Sequence, residues 1–132
     1  MNGEYTLRNK LLSDSAVTSL LTSKGAYPCL SVGVKEPESW LPTDSTISIY
    51  NAGGMDNRDK RMIVTLTVNC RGATELICKQ IASAVVSSVN REVIPGGGRY
   101  YCQTGFVIPP QDDLDSYNLP VEITMKAGEV VE

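Results

Sequence analysis

The sequence contains no histidine. That removes Ser-His-Asp and Cys-His nucleophile systems, and with them His-ligated zinc and haem. Carboxylate and lysine chemistry survive, without the commonest general base. Aromatic residues are scarce, with a single Trp and a single Phe, so little marks a substrate pocket. Basic residues are in deficit: 12 Lys and Arg against 15 Asp and Glu give a net charge of −3. Nucleic-acid affinity comes largely from neutralised phosphates, so the balance argues against bulk DNA binding and leaves only a local basic patch. No apolar run approaches the roughly 20 residues of a membrane span. Met1–Lys10 is polar, with Glu4, Arg8 and Lys10, and does not read as a secretory signal.

The four cysteines, Cys29, Cys70, Cys78 and Cys102, include no C-x-x-C pair, so a structural zinc site has little support. An even count permits two disulfides. Without a secretory signal, the expectation is reduced thiols acting as small hydrophobes.

What remains is an ordinary globular composition, 42% hydrophobic and 20% charged. At 132 residues the expectation is one domain over 1–132. Such a chain buries about two thirds of its unfolded surface, enough for a core without metal or disulfides.

Periodicity supplies the elements. Leu7 and Leu11 lie one helical turn apart. Ser13 or Asp14 can cap a second short helix with Val17, Leu20 and Leu21 on one face, and Gly25 reads as its stop. Tyr27 to Val34 reads as a strand that Pro28 pushes to an edge. Lys35 to Asp44 reads as a loop. Its Trp40–Leu41 pair either covers the chain's own core or anchors a neighbouring subunit, since Trp is enriched at interface hot spots. Thr46 to Tyr50 is a strand, and Asn51 to Arg61 a polar loop with a basic end, Arg58, Lys60 and Arg61. Met62 to Cys70 alternates cleanly, with Met62, Val64, Leu66, Val68 and Cys70 on one face, as in an antiparallel sheet with one buried side. Ala73 to Asn90 is a long helix with a stripe of Leu76, Ile77, Ile81, Ala84, Val85 and Val89. Arg99 to Ile108 reads as a strand with Tyr100, Cys102, Thr104, Phe106 and Ile108 on one face, and Val121 to Lys126 as a last strand. The fold class this order implies is α+β: a mostly antiparallel or mixed sheet of about four to five strands, a long helix on one face, and two short N-terminal helices.

Three stretches invite a chemical reading. Pro95 to Arg99 carries three glycines, but they follow a helix and precede a strand, the reverse of a phosphate-binding loop, and no Lys-Ser/Thr follows. Asp112, Asp113 and Asp115 lack the EF-hand spacing and read as a solvated acidic loop. Arg58, Lys60 and Arg61 read as a solvated tip, or as a contact with a partner subunit or with DNA in transit; Asp59 weakens them as a phosphate grip. A carboxylate enzyme would have to be built from Glu122 or Asp113 with Arg99. No residue is assigned a catalytic, cofactor-binding or metal-binding role, and no cofactor is expected.

Four segments together resemble the tail terminator or tail-completion proteins of long-tailed phages and prophages. They are LRNKLLSDSAVTSLLTSKGAYP, STISIYNAGG, RMIVTLTVNCRGATELICKQIASAVVSSVN and DDLDSYNLPVEITMK. The resemblance is one of pattern. It implies a non-enzymatic virion protein whose subunits close into a hexameric ring on the last tail-tube disc, ending tail polymerisation and joining tail to head. The implied partners are other copies of the chain, the tail tube protein and the head–tail connector proteins, with DNA passing only in transit and no membrane. The implied location is the tail or neck of the virion, assembled in the bacterial host cytoplasm. On that reading Trp40, Leu41, Arg58, Lys60, Arg61, Asp112, Asp113 and Asp115 are candidate subunit or partner contacts, with Arg58, Lys60 and Arg61 also candidates for lining the channel. The basic and acidic loops would lie near subunit boundaries or on the ring's two faces, where charge steers docking. Rival readings are a head-completion or neck protein of the connector, a strand-adding adaptor, and the carboxylate enzyme.

Overall fold

The computed structural model describes residues 3–33, 37, 39–51, 55–58, 61–94, 98–110 and 116–127; for residues 55–58, 61–63 and 127 the description covers the backbone alone. In chain order the elements are α1 (Gly3–Leu12), α2 (Ser15–Thr18), β1 (Ser23–Lys24), β2 (Tyr27–Pro28), β3 (Leu30–Val32), β4 (Thr46–Tyr50), β5 (Met55–Arg58), β6 (Arg61–Gly72), α3 (Glu75–Val89), β7 (Gly98–Thr104) and β8 (Tyr117–Ala127). The class is α+β. The main sheet is mixed, in the order β3-β4-β6-β8-β7, with β5 paired to β6. β3 runs parallel to β4, and the other pairings are antiparallel.

The long strand β6 organises the sheet. Eleven of its twelve residues pair along one side with β8, from Met62↔Ala127 to Gly72↔Tyr117. Along its other side β4 covers Thr67 to Arg71 and β5 covers Arg61 to Val64. The segment read as a polar loop, Asn51 to Arg61, therefore contains a strand. Met55 to Arg58 has weak β propensity, yet β4 is too short to cover the first half of β6. Pairing with β5 covers backbone groups that would otherwise form an open edge.

The alternation read in β6 is correct for the side chains described. Val64, Leu66, Val68 and Cys70 are buried, and cross-strand rows continue them: Val68 opposite Ile49 and Val121, Leu66 opposite Ile123. Helix α3 lies across this face with Cys78, Ile81, Ala82, Val85 and Val89 buried, and α1 adds Leu7 and Leu11. Each such aliphatic side chain contributes about 1.5–3 kcal/mol when fully buried. The helical stripe needs one correction. Leu76 is 65% exposed, and Cys78 takes the inward position. Thr74 caps the helix, its Oγ1 accepting from the Ile77 N–H at 3.2 Å, so the helix starts later than Ala73. Gly72 makes the strand-to-helix corner possible: a Cβ there would stand 2.7 Å from Ile77 Cγ2.

The N-terminal segment departs from its reading in detail. Asp14, not Ser13, caps α2, accepting from the Ala16 N–H at 2.9 Å. The helix stops after one turn, and Gly25 sits in the turn between β1 and β2 rather than at a helix end. The strand read over Tyr27 to Val34 is broken at Cys29 into β2 and β3.

β7 also ends sooner than its alternation implies. It stops at Thr104, and Phe106, placed on the inner face by period two, is 92% exposed. The reason is a one-residue slip. The Gly105 N–H donates to Pro120 O at 2.9 Å, while Ile108 and Asn118 exchange backbone bonds of 2.7 and 3.0 Å. Three steps on one strand thus match two on the other, which is a β-bulge, and every side chain beyond it changes face. Val107 packs against the core and Phe106 points out.

Candidate functional site

The Trp40–Leu41 loop is held by charges. Leu41 N–H donates to Asp44 Oδ2 at 2.7 Å, and Leu41 O accepts from Arg71 Nη2 at 2.8 Å. Lys24 Nζ meets the same Asp44 oxygen at 2.9 Å. Both backbone groups of Leu41 are therefore gripped by ionic side chains, while its own side chain is 55% exposed. Burial pushes the Asp44 carboxyl up, but the Leu41 N–H, Lys24 and Arg71 outweigh it and hold the group below the ordinary carboxylate value. Trp40 is half-buried beside this clamp. The sequence marks the clamp faintly: an aspartate two residues after Pro42, and an arginine just after the uncharged alternating run Met62 to Cys70.

The described candidate residues fall in two places. Arg58 and Arg61 are backbone register partners at the end of the β5–β6 pair. Arg71 is ten residues further along β6 from Arg61, about 34 Å at 3.4 Å per residue, so this basic end and the Trp40 loop are separate surfaces. Lys60, Asp112, Asp113 and Asp115 lie outside the described residues. The nearest described residues on either side of the acidic run are Pro110 and Ser116, and Ser116 precedes the Tyr117↔Gly72 end of the β8–β6 pair. That end is opposite Arg58 and Arg61.

Of the two carboxylates read with Arg99, Asp113 lies outside the described residues and Glu122 is not paired with it. Glu122 lies opposite Gln103, whereas Arg99 lies opposite Lys126, four residues along, or about 13 Å of strand. Arg99 Nη1 donates instead to Arg91 O at 2.7 Å. The four cysteines form no disulfide, and Cys29, Cys70 and Cys78 are buried. Burial, with Glu75 adding to it, pushes Cys78 up to about 11, and burial alone pushes Cys102 to about 11. Cys70 is raised further by burial and by Cys78. Cys78 Sγ donates to Cys70 O at 3.1 Å, the arrangement of an inert core thiol. Among the described residues, no group of three His, Cys, Asp or Glu side chains is placed to hold a metal ion. No helix there is long and apolar enough to cross a membrane.

Two surface features were not legible in the sequence. One is a groove of about 340 Å³ beside β3, lined in part by Arg8, Leu12, Tyr27, Leu30 and Trp40. The other is a shallower depression of about 220 Å³ beside β7, lined by Thr67, Gln103, Phe106, Pro120 and Glu122. The groove borders the edge strand β3, whereas the depression spans β6, β8 and β7 on the other side of the strand order.

No protein-family model matches the chain, and no curated protein does. Among solved structures, the fold matches a chain from the virion of a native gene transfer agent (GTA) particle, with a TM-score of 0.70. The match covers 94% of this chain and 92% of that one at 12% identity. At that identity the likeness is one of fold, and it runs through nearly the whole of both chains.

Proposed function

We propose that this chain is a structural, non-enzymatic component of a phage-like virion. The observation that carries the reading is the fold shared, over nearly its full length, with a chain of a gene transfer agent virion. Within that class, the sequence resemblance favours a tail terminator. Copies of the chain would close into a hexameric ring on the tail tube, stop its polymerisation, and offer the opposite face to the head–tail connector. DNA would pass through the ring in transit.

The two unlike ends of the β6–β8 pair support two distinct ring faces. Arg58 and Arg61 lie at one end, and Tyr117, just after Ser116, at the other. A ring capping a tube on one side and meeting a connector on the other needs two unlike ends. The test is binding of the purified chain to tail tubes and, separately, to the portal-bearing head. Capping of tubes supports the terminator. Binding to heads alone supports the neck-protein reading, and binding to neither overturns both.

A further inference from the structure

We propose that Phe106 of one copy of this chain seats in the Arg8–Tyr27–Trp40 groove of the next. This deepens the ring reading above, and rests on it only for the number of copies. The bulge after β7 turns the chain's single phenylalanine outward to 92% exposure. Gly105 allows it, since a Cβ there would stand 2.9 Å from Pro120 O. Bulges commonly re-aim a side chain at a sheet edge, and here the re-aimed group is a large apolar ring that the chain does not cover itself.

The groove has the complementary chemistry. Its walls include Leu12, Tyr27, Pro28, Leu30 and Trp40, and Tyr27 is 77% exposed. An apolar cavity of about 150 Å³ accepts a benzene ring, so about 340 Å³ admits a phenyl group with room to spare. Charge also matches. Glu122 lines the depression beside Phe106, and Arg8 lines the groove. Seating one in the other brings a carboxylate toward a guanidinium.

Geometry makes the contact head-to-tail. The groove borders β3 and Phe106 follows β7, the two ends of the strand order. Four strand spacings, about 19 Å, separate them, so one copy cannot satisfy itself. A patch on one edge that fits a different patch on the other is a heterologous interface, which closes into a ring when the rotation permits. The β7 edge does not favour backbone pairing instead. The Tyr100 N–H donates to Glu92 O at 3.0 Å, and the Cys102 N–H to Asn90 Oδ1 at 3.0 Å, so the edge is already occupied up to Cys102.

The test is site-directed crosslinking of the full chain. Every variant carries Cys102→Ser, leaving no half-exposed thiol among the described cysteines. Gln103→Cys reports from beside Phe106, and Ser39→Cys from the groove. The two proteins are mixed with a short bis-maleimide, in solution and again on purified tail tubes. A mixed dimer, absent when either protein is treated alone, is the expected product. Adding Phe106→Ala to the Gln103→Cys protein is expected to cut its yield at least tenfold while the far-UV spectrum is unchanged. A Gln103→Cys homodimer, a crosslink to the tube protein in its place, or no product under both conditions overturns the proposal. Tube capping by the unsubstituted chain is scored in parallel. Capping that survives Phe106→Ala with no mixed crosslink defeats this contact and leaves the ring reading standing. A mixed crosslink without capping does the opposite.

Discussion

The two edges of the sheet are finished by different means. At the β3 edge the strand is only three residues long, and the flanking loop is clamped by Lys24, Asp44 and Arg71 around the backbone of Leu41. At the β7 edge the ion pair is a looser one, Lys10 Nζ to Glu92 Oε1 at 3.4 Å with both side chains partly exposed. The chain from Asn90 to Ile94 lies along the strand and takes up its edge groups, and a bulge then turns Phe106 outward. Both solutions leave little free backbone for another strand to pair with. Both leave particular side chains on view, Leu41 and Tyr27 on one edge and Phe106 on the other. A protein that assembles through side chains can choose its partner more sharply than one with a bare strand edge.

Between the edges lies an interior built by neither device, and the largest expected effect is there. Ile123 is fully buried in the row between Leu66 and Cys102. Ile123→Ala is expected to cost about 2–5 kcal/mol in urea unfolding; a cost below 1 would mean that the edges, not the interior, hold the fold. At the strand-to-helix corner, Gly72→Val forces Ile77 to move, and a loss of about 1–3 kcal/mol is expected by the same measurement.

The clamp at the β3 edge comes next. Asp44→Ala leaves the Leu41 N–H and Lys24 without their acceptor and is expected to cost about 1–3 kcal/mol. Lys24, with a third of its side chain exposed, is expected to cost under about 1 kcal/mol when changed to Ala. The clamp also has a pH signature. The folded Asp44 carboxyl titrates below its ordinary 3.8. Its contribution is therefore complete above that value and is lost as pH falls through the lower folded one. Acid unfolding curves of the unsubstituted chain and of Asp44→Ala should converge over that range. At the alkaline end, Cys78 and Cys102 titrate near 11 when folded, against 9.0 ordinarily. Stability is expected to fall as pH rises from about 9 toward 11, and the fall should be shallower in Cys102→Ser.

The smallest effect on stability belongs to the β7 edge. Phe106→Ala is expected to shift unfolding by no more than about 0.5 kcal/mol, because the ring touches solvent in the single copy. A large loss there would mean that Phe106 serves its own fold.

The same contrast explains what the sequence made legible. Interior strands β6 and β8 and the helix α3 announce themselves, because one buried face imposes period two on a strand and 3.6 on a helix. Leu7 and Leu11 were likewise visible as an inward pair. The edges obey no period. β5 is a strand because β6 needs a partner, not because Asp56 and Asn57 favour one. The bulge at Gly105 breaks the alternation that had put Phe106 on one face with Tyr100 and Cys102. Leu76 and Cys78 exchange roles because the start of α3 is fixed by the Thr74 cap, not by the most apolar residue. Of the assembly residues chosen from sequence, Trp40 and Leu41 stand beside the Asp44–Arg71 clamp, while Arg58 and Arg61 lie at the far end of β6 from Arg71. The groove and the knob depend on residues distant in sequence, Arg8 with Trp40 and Phe106 with Glu122, and no local pattern joins them.

The most direct test of the central claim is electron microscopy of purified tail tubes incubated with the chain, with class averages viewed down the tube axis. The account predicts a single cap at one end of each tube, with sixfold symmetry and no further tube growth when tube protein is added. Tubes that bind nothing and continue to lengthen would contradict it.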